Sequence, residues 1–426
     1  MINFLKNSLF ACYNRLITSI AFFPSLILIG FICLVSIMIS IEDNKSTKWL
    51  IDNAPYLVIN NADTARSILS TMIGGLISLM VFSFSMVMML LNQASSNFSP
   101  RLLPGLVSDK RNQFVLGTYL GTIFYNIIVL MTILPEGNEY TLNGFSILVG
   151  MILAMSCLIV FIYFIHTVSS SIQINNILER IFKTTKERLL HLLDQERECK
   201  VTEAEVEHWH IVDSTQAGYY HGVNLEGLLK ICDEKKISLK VFPFKGEYLL
   251  PNVKLYAIDK KLKEEDMNTF ASYFIFASSR DISDNYSMGI KQISEVGIKA
   301  MSPGINDPGT AVITIDYLTE LLALRMKLGQ NEIHQNHESD TSVQLHSLSF
   351  EDLIYHLMAA YRQYCKHDIV LMENLVSMLK YLIKQPVKLE QYKEELETQL
   401  AVLSEDIKTN ICNQSDQDRL QKFLQS

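Results

Sequence analysis

No Asp, Glu, Lys or Arg lies inside any of the four long apolar runs in the first 170 residues, and between Arg111 and Arg180 there is no Lys or Arg at all. Intramembrane charges are what proton relays and ion-coupled pumps are built on, so their absence argues against both. The seven cysteines form no CxxC pair and no even framework. They fit reduced thiols in a cytoplasmic setting and lack the ligand spacing of a structural zinc site. No basic cluster appears and the net charge is −8, which excludes an ordinary nucleic-acid binder. GxSxG, HExxH and P-loop motifs are missing, as is any carboxylate pair at a suggestive spacing, so no catalytic residues are assigned, no cofactor or metal is expected, and an enzyme ranks last among the functions considered.

What is present is grease, unevenly spread. Hydrophobic residues make up 49% of the 426 and charged residues 19%, with the apolar runs at the front and most of the charge after residue 179. Crossing a bilayer takes roughly 20 apolar residues. Four segments meet that requirement, at about 17–41, 68–91, 113–134 and 145–165. The first is too long for a signal-peptide core and lacks a small-residue cleavage site, so it is expected to stay as an anchor. Basic residues set the orientation. Lys6 and Arg15 precede span one, Arg101, Lys110 and Arg111 separate spans two and three, and Arg180, Lys183, Lys186 and Arg188 follow span four, against Lys45 and Lys48 on the other side. Both termini are therefore expected in the cytoplasm, with the chain in a bacterial inner membrane. The expected fold class is an α-helical integral membrane protein with four transmembrane helices, followed by a cytoplasmic α+β region, a small partly β module and then helices.

Span two carries a polar stripe. Thr71, Ser78, Ser85 and Asn92 are seven residues apart, and Ser67 and Gly74 fall on the same face. In lipid such a face must meet protein or water. Either it packs closely on another helix, where small residues let backbones approach, or it lines an aqueous path in a homo-oligomer. Just beyond it, Asn97 and Arg101 belong to a polar, proline-broken segment that either anchors at lipid headgroups or forms the cytoplasmic mouth of such a path.

Past the spans, residues 171–207 read as a helical extension of span four, with Ile174, Ile177, Leu178, Ile181, Leu189, Leu192 and Leu193 at helical spacing. Residues 208–260 read as a small α/β module: strands at "HIVDS" and "GYYHGV" around a turn, a helix capped by Asn224, then strands in "ISLKVFPF" and "KLYAI". Residues 261–328 read as a helical hairpin, its first helix capped by Asp284 and its second carrying Val312, Ile315, Leu318, Leu321, Leu322 and Met326 on one side. A polar linker at 329–342 and a helical region at 343–426 complete the chain. His334 and His337 in that linker are read as solvated rather than as metal ligands.

The hairpin turns at "MSPGINDPGTA", residues 301–311. Pro303 and Gly304 are expected to end the first helix, Gly304 by a positive φ, while Asp307 caps the next and Pro308 opens it. The corner either only turns the chain or also holds a small ligand at the helix N-terminus, with Ser302, Asn306, Asp307 and Thr310 as the candidate contacts.

"ASSNFSPRLL", "AGYYHGVNLEGLL" and "SPGINDPGTA", in that order along the chain, resemble the signatures of an uncharacterised bacterial family of predicted integral membrane proteins, the domain of unknown function 2254 family. The resemblance runs from span two to about Leu328. The family pattern often has an aromatic residue where this chain has Gly309 and an Arg where it has Lys299, so no role needing a ring or a guanidinium is carried over there. It implies an inner-membrane protein with a cytoplasmic domain and brings no activity. Two functions of different class stand: an oligomeric ion channel or passive transporter with span two beside the path, and a membrane-anchored scaffold or ligand sensor. The expected partners are the lipid bilayer, further copies of the chain and an unidentified small ion or ligand.

Overall fold

The computed structural model describes residues 21–41, 59, 61–97, 110–133, 144–171, 173–198, 208–261, 264–277, 285–335 and 341–425. They fall into two units, 1–173 and 174–426.

The first unit holds four helices: α1 (Phe22–Ile41), α2 (Ala62–Asn97), α3 (Lys110–Thr132) and α4 (Gly144–Ser171). All four are long and apolar enough to cross a membrane. The second helix starts earlier than hydropathy alone places it, because Asn61 Oδ1 accepts the Thr64 amide at 2.9 Å and caps its first turn. α3 is the centre of the unit and packs against each of the other three. Its closest approach is to α1. A Cβ on Gly117 would lie 3.0 Å from Pro24 Cα and 2.8 Å from Ile27 Cδ1, and one on Gly121 would lie 2.6 Å from the Phe31 ring. Two glycines four apart thus form a groove into which α1 settles, the small-xxx-small device of membrane helices. Toward α4, Tyr125 Oη donates to the Ser146 carbonyl at 3.1 Å, while within α3 Asn126 Nδ2 donates to the Thr122 carbonyl at 2.9 Å. Those bonds satisfy polar groups that hydrocarbon would penalise.

The second unit opens with α5 (Ile174–Glu198), an element of its own rather than part of α4. Next come β1 (His210–Asp213), β2 (Gly218–Val223), α6 (Leu225–Lys235), β3 (Leu239–Val241), β4 (Tyr248–Leu249), β5 (Lys254–Ile258), α7 (Glu264–Ala271) and β6 (Phe274–Ala277). α6 is capped as its sequence requires, with Asn224 Oδ1 accepting the Gly227 amide at 3.1 Å. The chain continues through α8 (Tyr286–Ala300), α9 (Pro308–Arg325), β7 (Asn331–Gln335), β8 (Ser342–His346), α10 (Phe350–Cys365), α11 (Ile369–Ile383), α12 (Gln391–Asn410) and α13 (Gln414–Gln425).

The strands form two sheets, one in the order β1-β5-β3-β8-β7 and one in the order β4-β2-β6. Among the described strands only β3 and β8 run parallel, with Leu239 opposite Val343 and Val241 opposite Leu345; the other pairings are antiparallel. Tyr220, Leu228, Cys232, Tyr256 and Phe270 fill the core between sheets and helices.

Three expectations are corrected. Residues 329–342 are not a solvated linker: β7 occupies 331–335 and β8 begins at Ser342, although His337 lies outside the described residues. The polar composition reflects β7's place at a sheet edge. The β module is accordingly not confined to 208–260, since β6, β7 and β8 complete its sheets from later sequence. The cap of α8 is Asn285, whose Oδ1 accepts from Ser287 N at 3.2 Å and Met288 N at 3.4 Å; Asp284 lies outside the described residues.

α8 runs between α5, α9 and α10, and two glycines make this possible. A Cβ on Gly289 would collide with the Thr185 side chain of α5. One on Gly297 would collide with the hydroxyls of Thr314 (α9) and Tyr361 (α10), which are hydrogen-bonded to each other at 2.7 Å.

Candidate functional site

Three places concentrate the residues of interest: the outer face of α2, the α8–α9 corner, and a cavity beside β7.

Every member of the α2 stripe, Ser67, Thr71, Gly74, Ser78, Ser85 and Asn92, is exposed on the folded chain. The opposite side of the helix, with Leu69, Leu76 and Ser83, is the one turned inward. Thr71 Oγ1 and Ser78 Oγ donate to the carbonyls of Ser67 and Gly74, one turn back on the same helix, at 2.8 and 2.9 Å. Nothing lies within 4 Å of where a Gly74 Cβ would be. Close packing inside the unit is therefore the work of Gly117 and Gly121 instead. That groove went unread although GTYLG is a GxxxG motif within an apolar run, the available signal. Asn97 is described only as the end of α2, and Arg101 lies outside the described residues.

At the corner, α8 stops at Ala300, ahead of both Pro303 and Gly304. The positive φ falls on Asn306, at 49°, and not on Gly304, a correction that fits the tolerance of Asn for the left-handed region. The Asp307 amide then reaches back to the Ala300 carbonyl at 2.8 Å. Asp307 Oδ1 accepts the Thr310 amide at 3.1 Å and its Oδ2 accepts the Thr310 hydroxyl at 2.6 Å. Chiefly through that hydroxyl, the carboxyl is held below its ordinary range. Both carboxylate oxygens face donors from their own turn, and Ser302 and Asn306 contribute to the turn through backbone bonds. The corner closes on itself as a helix cap.

The cavity lies beside β7 in the second unit. Its volume is about 330 Å³, and it is walled by the last turns of α5, the N-terminus of α8, β7 and the segment around Lys388. Two ion pairs stand in or behind the wall. Glu332 on β7 has an oxygen 3.6 Å from Arg188 Nη2, and Glu196 on α5 has one 3.1 Å from Lys388 Nζ. The second Glu196 oxygen accepts the Gly329 amide at 3.2 Å. Burial works to raise the Glu332 carboxyl, but His334, Lys245 and Arg188 outweigh it and hold the group below its usual range, ionised at neutral pH. His334 Nε2 lies 3.9 Å from Glu332, too far for a hydrogen bond. That nitrogen and Gln195 Oε1 are both buried without a hydrogen-bond partner. Leu192, Leu328, Ile333, Leu389 and Tyr286 supply the apolar part of the wall.

Behind Tyr286 sits Arg325, completely buried and, among the described residues, with no carboxylate partner. Its guanidinium donates to the carbonyls of Leu328 and Leu348, both at 3.2 Å, and lies 5.8 and 5.7 Å from the ring centres of Tyr286 and Tyr392. Sequence reasoning passed over Arg325, which follows Leu318, Leu321 and Leu322 on the buried face of α9. Among the described residues no group of three His, Cys, Asp or Glu side chains is placed to hold a metal.

Four bilayer-length helices followed by an α+β unit, with a polar face on the outside of the second helix, define a multi-pass membrane protein. The predicted membrane protein family DUF2254 matches residues 17–381, and the chain belongs to that family. Curated relatives include the uncharacterized protein Mb1321c of Mycobacterium bovis and the uncharacterized protein Rv1290c of Mycobacterium tuberculosis. Each is 21% identical over 369 residues, covering 83% of this chain and 70% of the relative. No solved structure matches.

Proposed function

We propose that the protein is an oligomeric ion channel or passive transporter of the inner membrane, with α2 beside the path, both termini in the cytoplasm, and the C-terminal unit assembling or gating it. The observation that carries this is the position of the α2 stripe. Six small or polar residues in register along one bilayer-spanning helix are left on the outside of the folded chain, with open space above Gly74. Thr71 and Ser78 satisfy their hydroxyls within the helix, so what favours a second copy or a file of water over lipid is the Asn92 amide and the unbroken run of small side chains. Uncharged hydroxyls and carbonyls are sufficient lining for a passive pore.

Planar-bilayer recording of the purified protein tests it. Wild type should conduct, and Ser78→Leu and Ser85→Leu should each change the conductance. A silent wild type under varied tension, voltage and pH, together with a monomer in native mass spectrometry, refutes it. The alternative is a membrane-anchored ligand sensor without transport, favoured by the polar cavity in the second unit. A protein that binds ligand there and never conducts selects that alternative.

A further inference from the structure

We infer that a second cavity, between α8 and α10, is a binding site for a small amphipathic carboxylate, of which a medium-chain fatty acid is the simplest example. The site lies wholly within the second unit and stands whether or not the first unit conducts.

Helix packing opens the space. At Gly297, α8 comes so close to α10 that a Cβ would strike the Tyr361 hydroxyl. Beside that contact the two helices border a hollow of about 380 Å³. Small-molecule sites run from roughly 300 to 1,000 Å³ and are mostly apolar, with a few placed polar groups. Met288, Ile290, Leu353 and Leu357 line this one and are themselves buried, so the wall belongs to the packed core and keeps its shape.

One polar group is set into the apolar wall. Ser294 on α8 is only 6% exposed, and its hydroxyl has no hydrogen-bond partner among the described residues. A serine inside a helix commonly bonds the carbonyl one turn back, as Ser78 does on α2. Ser294 does not. The hydroxyls of Tyr220 and Tyr256 have no accessible surface, whereas the Ser294 oxygen stays open, and what it opens onto is the cavity. An unpaired hydroxyl in so buried a place is costly, and an occupant with an acceptor there would supply the missing bond.

Charge decides the end group. Lys291 stands one turn from Ser294 on the same face of α8, and Lys245 reaches the cavity from the segment between β3 and β4. Against these two cations the wall holds one carboxylate, Glu295. Adding the Glu332–Arg188 pair, which Lys245 also faces, leaves the surplus at one positive charge. A single carboxylate balances that surplus, whereas a phosphate dianion exceeds it and a metal cation adds to it. The carboxylate would sit between Lys291 and the Ser294 hydroxyl, with the tail laid along Leu357 and Ala360 of α10.

The test uses the full-length protein in lipid nanodiscs, titrated calorimetrically with the even-numbered carboxylates from butanoate to dodecanoate and corrected with empty nanodiscs. Octanol and inorganic phosphate are run alongside. Affinity should rise about fourfold per methylene and stop rising once the chain outgrows the cavity, a limit that partition into a bilayer does not impose. Octanoate should bind about tenfold more tightly than octanol. Ser294→Ala should weaken octanoate binding about three- to tenfold and leave the unliganded melting temperature unchanged or higher, since that hydroxyl has no internal bond to lose. A hydroxyl that merely held α8 in place would lower the melting temperature when removed. Lys291→Gln should weaken octanoate and leave octanol unchanged. Ala360→Phe should fill the space and abolish binding, with Ala360→Leu as the milder version should the larger ring prevent folding. The proposal is overturned if no carboxylate binds saturably beyond the empty discs, or if affinity climbs in parallel with them through dodecanoate. It is equally overturned if octanol or phosphate binds as well as octanoate, or if binding survives both Ser294→Ala and the Ala360 variants.

Discussion

Replacing Gly289 by Ala should undock α5 from α8 in part, and the structure allows the size of the effect to be worked out. An added Cβ would lie 3.0 Å from both Cβ and Cγ2 of Thr185 and nearer still to its hydroxyl. Thr185 cannot swing clear easily. It is β-branched, buried, and its Oγ1 is tied to the Ile181 carbonyl at 2.7 Å. A clash this close against a pinned side chain falls in the upper part of the usual overpacking cost, about 2–3 kcal/mol. Ala is the better helix former by about 1 kcal/mol, so the net loss should be about 1–2 kcal/mol. For a unit of this size that is a fall in melting temperature of roughly 2–8 °C. Thr185→Ala removes the colliding hydroxyl and methyl, so the double variant should recover much of the loss, with a coupling on the order of 1 kcal/mol. Thermal unfolding of the four proteins in nanodiscs, followed by intrinsic fluorescence, reads the cycle. If the double variant loses the sum of the two single losses, Thr185 and Gly289 are not in contact and the docking of α5 described above is wrong.

Gly121→Leu should separate α1 from α3, since even a Cβ there meets the Phe31 ring, and should lower the melting temperature in nanodiscs, whereas Gly75→Leu, at a position with open space around it, should not; an equal effect of the two contradicts the groove. Asp307→Ala removes a side-chain cap and should cost about 0.5–2 kcal/mol at neutral pH. Its folded pKa is depressed, so the native carboxyl contributes above the unfolded value of about 3.9 and loses that contribution as pH falls through the folded value. The gap between wild type and variant should therefore narrow on acidification below about pH 4; a gap independent of pH counts against an ionised cap.

The helices and strands were largely legible because their signals are local. Four charge-free runs, the Asn224 cap before "LEGLLKICDEK" and the Asp307–Pro308 helix start each depend on a few neighbouring residues. Pairing was not legible. β1 and β2 are joined by a four-residue turn and look like a hairpin, yet β1 pairs with β5 and β2 with β4 and β6. β7 reads as a linker because its residues are polar, and only its bonds to β8 make it a strand. The stripe on α2 was visible as a period of seven, but a sequence cannot say whether a helix face looks inward or out. The cavity was invisible for a related reason: Gln195, Glu332, His334 and Lys388 come from α5, β7 and the segment before α12, and no spacing connects them. Arg325 hid in plain view, as a cation on a face otherwise made of leucines.

The parallel pairing of β3 with β8 also sets a clock on the ribosome. Ser342 donates its amide to Ser238 across 104 positions, so the central strand stays half-dressed until that later segment has been made. At about 5–20 residues per second the wait is on the order of 5–20 s, by which time all four apolar helices have already emerged. The nascent chain carries an open sheet edge for that interval, and premature release before residue 346 would leave it a template for strand-to-strand aggregation.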